Sequence, residues 1–249
     1  MYKKFAKVYD VFMEAVPYEQ WADYIDDALG RYNVPKDGLL LDLACGTGSM
    51  AFLMAQKGYD IIGVDASVDM LSEAHCKMQE SGGSLLFINQ DMLKLDLYGT
   101  VDAAYSTCDS LNYLLTEEDF KKALNNVAMF LNPVGGVFIF DLKTDKKYRK
   151  LGSKTYYDRA NTKPSDDIFY IWKNRYDPNT GINEYKVQFF CGGKRSFTEI
   201  HRQRGWRYEE VVSLVKKAGL RVLSAEDNYT RNPAMPDSER VTYTCQKLP

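Results

Sequence analysis

Leu39-Leu40-Leu41-Asp42-Leu43-Ala44-Cys45-Gly46-Thr47-Gly48 is an apolar run that ends in an acid and passes through small residues into the amphipathic segment 49–56. The pattern reads as strand, glycine loop and helix N-terminus. Glycines let the backbone approach a ligand closely, and the first turn of a helix offers N–H groups with no partner inside the helix. A second run, Ile61-Ile62-Gly63-Val64, ends in Asp65. A carboxylate at that place can accept both hydroxyls of a ribose. Working outward, residues 39–43, 60–64, 84–88, 101–105 and 136–141 read as short apolar strands, and helical patterns alternate with them at 48–57, 67–80 and 117–131. Such alternation predicts a parallel α/β sheet whose ligand sits beyond the carboxyl ends of the strands. Two further helices are expected at 3–15 and 18–32, with Pro17 between them and Pro35 after them.

Gly46-Thr47-Gly48-Ser49-Met50-Ala51 fits the loose dinucleotide pattern G-x-G-x-x-G/A. Asp42 argues against that reading, because a carboxylate at the mouth of the loop repels a pyrophosphate and tolerates a cationic amino-acid end. The order Asp42-x-Ala44-x-Gly46-x-Gly48 resembles the first motif of class I S-adenosylmethionine-dependent methyltransferases, with Ala44 in place of their usual first glycine. Gly63-Val64-Asp65-Ala66-Ser67-Val68-Asp69-Met70-Leu71 resembles the second motif, and Asn89-Gln90-Asp91-Met92 the third. Thr107-Cys108-Asp109-Ser110-Leu111-Asn112-Tyr113 resembles the loop after the fourth strand. Phe5-Ala6-Lys7-Val8-Tyr9-Asp10 resembles the helix that closes over the cofactor in the small-molecule branch. Within the family the chain most resembles a bacterial group that carries an antiparallel insert late in the chain.

The resemblance implies a Rossmann-like sheet with helices on both faces, an antiparallel last strand, and S-adenosylmethionine as cofactor with S-adenosylhomocysteine as product. Residue by residue, it places Tyr9, Ala44, Cys45, Gly46, Thr47 and Gly48 against the cofactor. Asp65, with Ala66 and Met70 after it, takes the ribose, and Asp91 with Met92 takes the adenine. Thr107, Cys108 and Asp109 lie near the methyl group. Asp42 is expected to order the loop and face the cationic end of the cofactor.

The composition fits a folded enzyme: 249 residues, 45% hydrophobic, with a net charge of −2. No N-terminal signal and no run of the roughly 20 apolar residues of a membrane span is visible. The five cysteines are scattered without C-x-x-C spacing, which indicates neither a zinc site nor a disulfide framework and suggests a cytoplasmic setting. Charge is uneven. Residues 1–142 hold 10 Lys and Arg against 21 Asp and Glu, whereas residues 143–207 hold 16 against 7. The basic segment either faces an anionic small-molecule acceptor or is a solvated surface.

After Asp141 the rhythm changes. Residues 154–160, 167–176, 183–191 and 195–204 read as antiparallel strands, separated by the turn signals Asp177-Pro178-Asn179-Thr180-Gly181 and Cys191-Gly192-Gly193-Lys194. The expected division is a cofactor domain of 1–142 and 205–249, and an antiparallel insert of 143–204 that forms a substrate wall or lid. Residues 208–218 read as a helix, and 220–227 and 240–247 as final strands. Strand alternation places Glu199, His201 and Gln203 on one face. Glu199, His201 and Tyr113, which follows the fourth strand, are the candidates for base or substrate orientation. Asn112 is a candidate for the cavity lining. The proposed chemistry is direct methyl transfer to a small molecule. An RNA methyltransferase using the basic insert, an NAD-dependent oxidoreductase and a non-catalytic nucleoside-binding protein are the alternatives.

Overall fold

The computed structural model describes residues 5–81, 85–160, 168–191 and 194–248. The start of the first expected helix, Ser84 of the third expected strand, and the Gly192-Gly193 turn lie outside them. The chain runs α1 (Ala6–Phe12), α2 (Tyr18–Arg31), β1 (Leu39–Leu43), α3 (Ser49–Gln56), β2 (Asp60–Asp65), α4 (Val68–Ser81), β3 (Leu86–Asn89), β4 (Ala103–Ser106), α5 (Glu117–Phe130) and β5 (Val137–Lys143). It continues through α6 (Asp145–Leu151), β6 (Thr155–Ala160), β7 (Ile168–Asp177), β8 (Ile182–Cys191), β9 (Lys194–Arg204), α7 (Tyr208–Lys217), β10 (Leu220–Asp227) and β11 (Arg240–Lys247).

Seven strands form the main sheet in the order β10-β11-β5-β4-β1-β2-β3. β1 to β5 pair in parallel, and β11 runs antiparallel between β5 and β10. Successive strand residues feed opposite faces. In β5, Val137 and Ile139 pack with α2 and α3, while Phe138 and Phe140 pack with α5 and α7. The sheet is therefore buried on both sides, which is why its strands are continuous apolar runs. Strand order reverses at β1, because the chain adds β2 and β3 on one side and returns to place β4 on the other. The loops after β1 and β4 diverge there and leave a crevice.

The second sheet is the meander β6-β7-β8-β9. Its β7–β8 turn is held by Asp177, which accepts from Asn179 N (3.0 Å) and Thr180 Oγ1 (2.9 Å), and closes on Gly181 at φ +71°. Tyr185, Val187 and Phe189 on its inner face pack against Phe5, Ala6 and Phe12 of the N-terminal segment. Lys173, Arg175, Lys186 and Arg202 project from the other face and are exposed. The helix α6 has no counterpart in the sequence reading. It is capped by Thr144, whose hydroxyl accepts from Lys147 N at 3.2 Å, and it stands between the main sheet and the meander.

Asn112 joins the two sheets. It is 0% exposed. Its amide donates to Lys143 O (2.8 Å) and Arg204 O (2.7 Å), and its carbonyl accepts from Lys143 N (3.0 Å). It is therefore a clasp and not a cavity residue. Asn112→Ala leaves three buried backbone groups short of a partner, and a loss of about 2–3 kcal/mol is expected, read as a lower urea midpoint with an unchanged slope. An unshifted midpoint would show that the joint does not depend on this residue.

Candidate functional site

The loop after β1 alternates left-handed residues: Ala44 at φ +61°, Gly46 at +55° and Gly48 at +79°. This zigzag keeps the backbone flat against the crevice. The conformation suits glycine and strains alanine. Gly63 in the adjacent strand has no room for a side chain, since a Cβ would fall 2.6 Å from the Phe87 ring and 3.0 Å from Cys45 Sγ. Asp65 ties the loops together. Its Oδ2 accepts from Gly46 N (2.9 Å) and its Oδ1 from Ser67 N (2.8 Å). Burial raises its carboxyl pKa, and the two N–H donors oppose that rise. Asp91 caps the short turn Met92–Lys94 by accepting from Leu93 N at 2.9 Å.

Asp42 sits below the loop, 1% exposed, beside Tyr105 of the neighbouring strand. It does not line the main cavity, and its Oδ2 has no hydrogen-bond partner. Burial pushes its carboxyl up to about 8. The folded chain thus holds a proton that the unfolded chain releases above about pH 4, so Asp42 lowers stability progressively as pH rises from about 4 towards 8. Asp42→Asn removes that dependence. In thermal unfolding without ligand, the variant is expected to gain on the wild type between about pH 5 and about pH 8, with a limiting slope of about 1.4 kcal/mol per pH unit. Parallel pH courses for the two proteins would refute it.

One cavity joins the motif loops to the inner face of the meander. Tyr9, Ala44, Gly46, Asp65, Ala66, Met70, Asp91, Met92, Cys108 and Asp109 line one part of it. Tyr113, Lys143, Trp172, Tyr185 and His201 line the other, with Phe5 and Phe12. Cys45, Thr47 and Thr107 open instead on a small cleft behind the loop. Gly48 lines neither of these, as it packs on Phe87 and Phe52. The Thr47 hydroxyl donates to Asp10 of α1 (2.6 Å) and accepts from Lys77 (3.0 Å), which pins α1 onto the loop. Burial pushes the Cys45 thiol up, and the Cys108 thiol to about 11, so both sulfurs are protonated packing groups.

Asp109 is a hub. It sits at φ +53°, directly after Cys108 at φ +59°. Its carboxylate meets Lys143 Nζ (3.0 Å), Arg240 Nη2 (2.8 Å) and Gln203 Nε2 (2.7 Å). Arg240 also pairs with the fully buried Asp141. Burial alone would raise the Asp109 pKa, but the two cations and the amide hold it below the usual carboxylate range.

His201 is 1% exposed. Tyr113 Oη lies 3.0 Å from its Nδ1 and 2.8 Å from Tyr185 Oη. Desolvation pushes the imidazole down to about 4, so it is neutral under physiological conditions. Gln203, on the same face, contacts Asp109 rather than His201. Glu199 shares that face but falls outside the cavity lining. Among the described residues, the basic side chains of the meander also lie outside the lining, and Lys143 at the end of β5 is already paired with Asp109.

Strand order reversing at β1, with Asp65, Asp91 and Asp109 at or just after the ends of β2, β3 and β4 around one crevice, defines a Rossmann-like methyltransferase fold. A family model described as a methyltransferase domain matches residues 40–135. The "Putative methyltransferase YqeM" of Bacillus subtilis (strain 168) is 33% identical over 99% of this chain and 97% of its own. A solved S-adenosylmethionine-dependent methyltransferase from Clostridium acetobutylicum ATCC 824 is 30% identical, with a TM-score of 0.87, over 100% of this chain and 99% of its own. The chain belongs to the class I S-adenosylmethionine-dependent methyltransferases. The nicotinamide reading of the glycine loop falls with that result. A dTDP-3-amino-3,4,6-trideoxy-alpha-D-glucopyranose N,N-dimethyltransferase from Streptomyces venezuelae is 31% identical over 55% of this chain and 56% of its own. Among the described residues, no helix is long and apolar enough to cross a membrane.

Proposed function

We propose that this methyltransferase acts on the nitrogen of a small-molecule amine by direct in-line displacement. The observation that carries this is the single cavity running from Asp65 and Asp91 to Tyr113 and His201. When bound, S-adenosylmethionine supplies a methyl carbon already activated by a positive sulfur. The residues present fit that group. Each oxygen of Asp65 holds one N–H and keeps a further lone pair for a ribose hydroxyl. Asp91, with one oxygen engaged and Met92 beside it, suits adenine. Ala44 and Gly46 give the methionine end close backbone approach, with Ala66, Met70, Cys108 and Tyr9 as walls. Asp42, Cys45, Thr47, Gly48 and Thr107 act on the cofactor by shaping its loops.

The acceptor half is built from Tyr113, Tyr185 and His201. Alignment of the nucleophile and exclusion of water supply most of the rate in such a displacement. A neutral imidazole in a hydroxyl chain orients an N–H group but does not retain a proton near neutral pH. That suits a nucleophile that needs no strong base. An amine in its free form qualifies, since its nitrogen lone pair makes the new bond before any proton need leave. The Streptomyces venezuelae relative, whose name describes amine methylation, supports nitrogen.

The test is methyl-tritiated S-adenosylmethionine with this protein and a fractionated cell extract. Label is expected in the low-molecular-weight fraction, in a species that keeps its label through acid and alkaline hydrolysis as an N-methyl group does, with no release of volatile methanol. Label in RNA would replace this reading with the RNA methyltransferase. Label in neither fraction, with the cofactor bound, would favour a non-catalytic role.

A further inference from the structure

Five rings form a continuous wall on the acceptor side of the cavity. Phe5 meets Phe12 (centroids 5.5 Å apart), Phe12 meets Trp172 (5.6 Å), and Trp172 meets Tyr185 (4.9 Å). Tyr185 stacks on His201 at 4.9 Å, and His201 returns to Phe5 at 5.9 Å. All five line the cavity. They come from the N-terminal segment, β7, β8 and β9, so the wall exists only once the meander is docked.

The charges facing the same cavity are few. Asp65 and Asp91 lie on the cofactor side, and Lys143 and Asp109 neutralise each other. Among the described residues, Lys143 is the one cation lining the cavity, and the N-terminal ammonium also acts on His201 through space. A planar ring would gain area burial and offset stacking. A small aliphatic amine would gain neither.

We propose that the acceptor is an aromatic amine: a planar ring that carries the nitrogen nucleophile. This rests on the methyltransferase reading of the same cavity. Arylamines are uncharged at neutral pH, so the lone pair is available without a base. The nitrogen lone pair forms the C–N bond as the C–S bond breaks, and the sulfur keeps that electron pair as a neutral thioether. The resulting arylammonium is far more acidic than an alkylammonium and gives up its proton to water at neutral pH through the Tyr113–His201 hydrogen-bonded pair.

The experiment is calorimetry of the full chain saturated with S-adenosylhomocysteine, titrated with 3-aminoquinoline and 5-aminoindole, and separately with glycine and glucosamine 6-phosphate. The aromatic amines are expected to bind at least about ten-fold tighter than the charged probes, and at least about ten-fold weaker to Trp172→Ala. Trp172→Phe, which keeps a ring, should retain most of the affinity and controls for misfolding. Charged probes binding as well as the aromatic amines, or no binding by the aromatic amines, would overturn the proposal. Absence of S-adenosylhomocysteine binding in the first step would instead strike the assignment of the cofactor half of the cavity, and so separates the two failures.

Discussion

Asp65→Ala is expected to weaken S-adenosylmethionine binding by at least about 100-fold. Two charge-assisted hydrogen bonds to ribose hydroxyls at about 1.5 kcal/mol each give about 3 kcal/mol, which is that factor. The loss has a second source. The carboxylate also fixes Gly46 N and Ser67 N, so both cofactor loops lose their common anchor. Asp65→Asn keeps one acceptor oxygen and should cost only about ten-fold. Calorimetric titration of the three proteins checks both numbers, with far-UV circular dichroism to confirm folding. A dissociation constant for Asp65→Ala within about three-fold of the wild type would remove Asp65 from the site.

Asp109→Ala is expected to cost about 3–5 kcal/mol of stability. Asp109 and Asp141 balance Lys143 and Arg240 in one buried network, two charges of each sign. Removing one carboxylate leaves a buried excess of one positive charge, and Gln203 also loses its acceptor. Alanine is in addition poorly suited to φ +53°, whereas asparagine tolerates it. Asp109→Asn separates these contributions, since it keeps the shape and loses the charge. At roughly 2–4 °C per kcal/mol for a chain of this size, Asp109→Ala should melt roughly 6–20 °C lower by scanning calorimetry. The exposed Lys36–Asp26 pair is the contrast: Lys36→Ala should cost less than about 1 kcal/mol. A melting temperature for Asp109→Ala no lower than that of Lys36→Ala would show that the network does not stabilise the fold.

The loops that line the cavity around Asp65 and Asp91 were legible because they directly follow strands, and strand ends are visible as apolar runs that stop at Asp42, Asp65 and Ser106. Backbone position follows from local pattern there. The aromatic part of the cavity depends on residues far apart in the chain. Phe5 and Phe12 meet Trp172, Tyr185 and His201 only after the meander folds over α1, and no local period announces that. Alternation along β9 did separate His201 and Gln203, both buried, from Arg202, which is exposed. It could not show that Glu199, on the same face, stops short of the cavity. The basic composition of 143–207 left two readings open; Lys173, Arg175, Lys186 and Arg202 project outward and are exposed, as a solvated face requires. Asp109 was recognisable as a loop acid. Its cationic partners, Lys143 and Arg240, lie 34 and 131 residues further along. The helix α6 was hidden because Lys146, Lys147, Arg149 and Lys150 give it a charged surface with a single buried residue, Tyr148.

The clasp made by Asn112 grips only main-chain atoms of Lys143 and Arg204. It is blind to what the meander carries on its inner face. Trp172, Tyr185 or His201 could be exchanged for other side chains without loosening the joint that holds the meander to the sheet. A library confined to Trp172, Tyr185 and His201 is therefore expected to vary the cavity wall while the Asn112 joint, the Gln203–Asp109 bond and the Val187 and Phe189 packing stay in place.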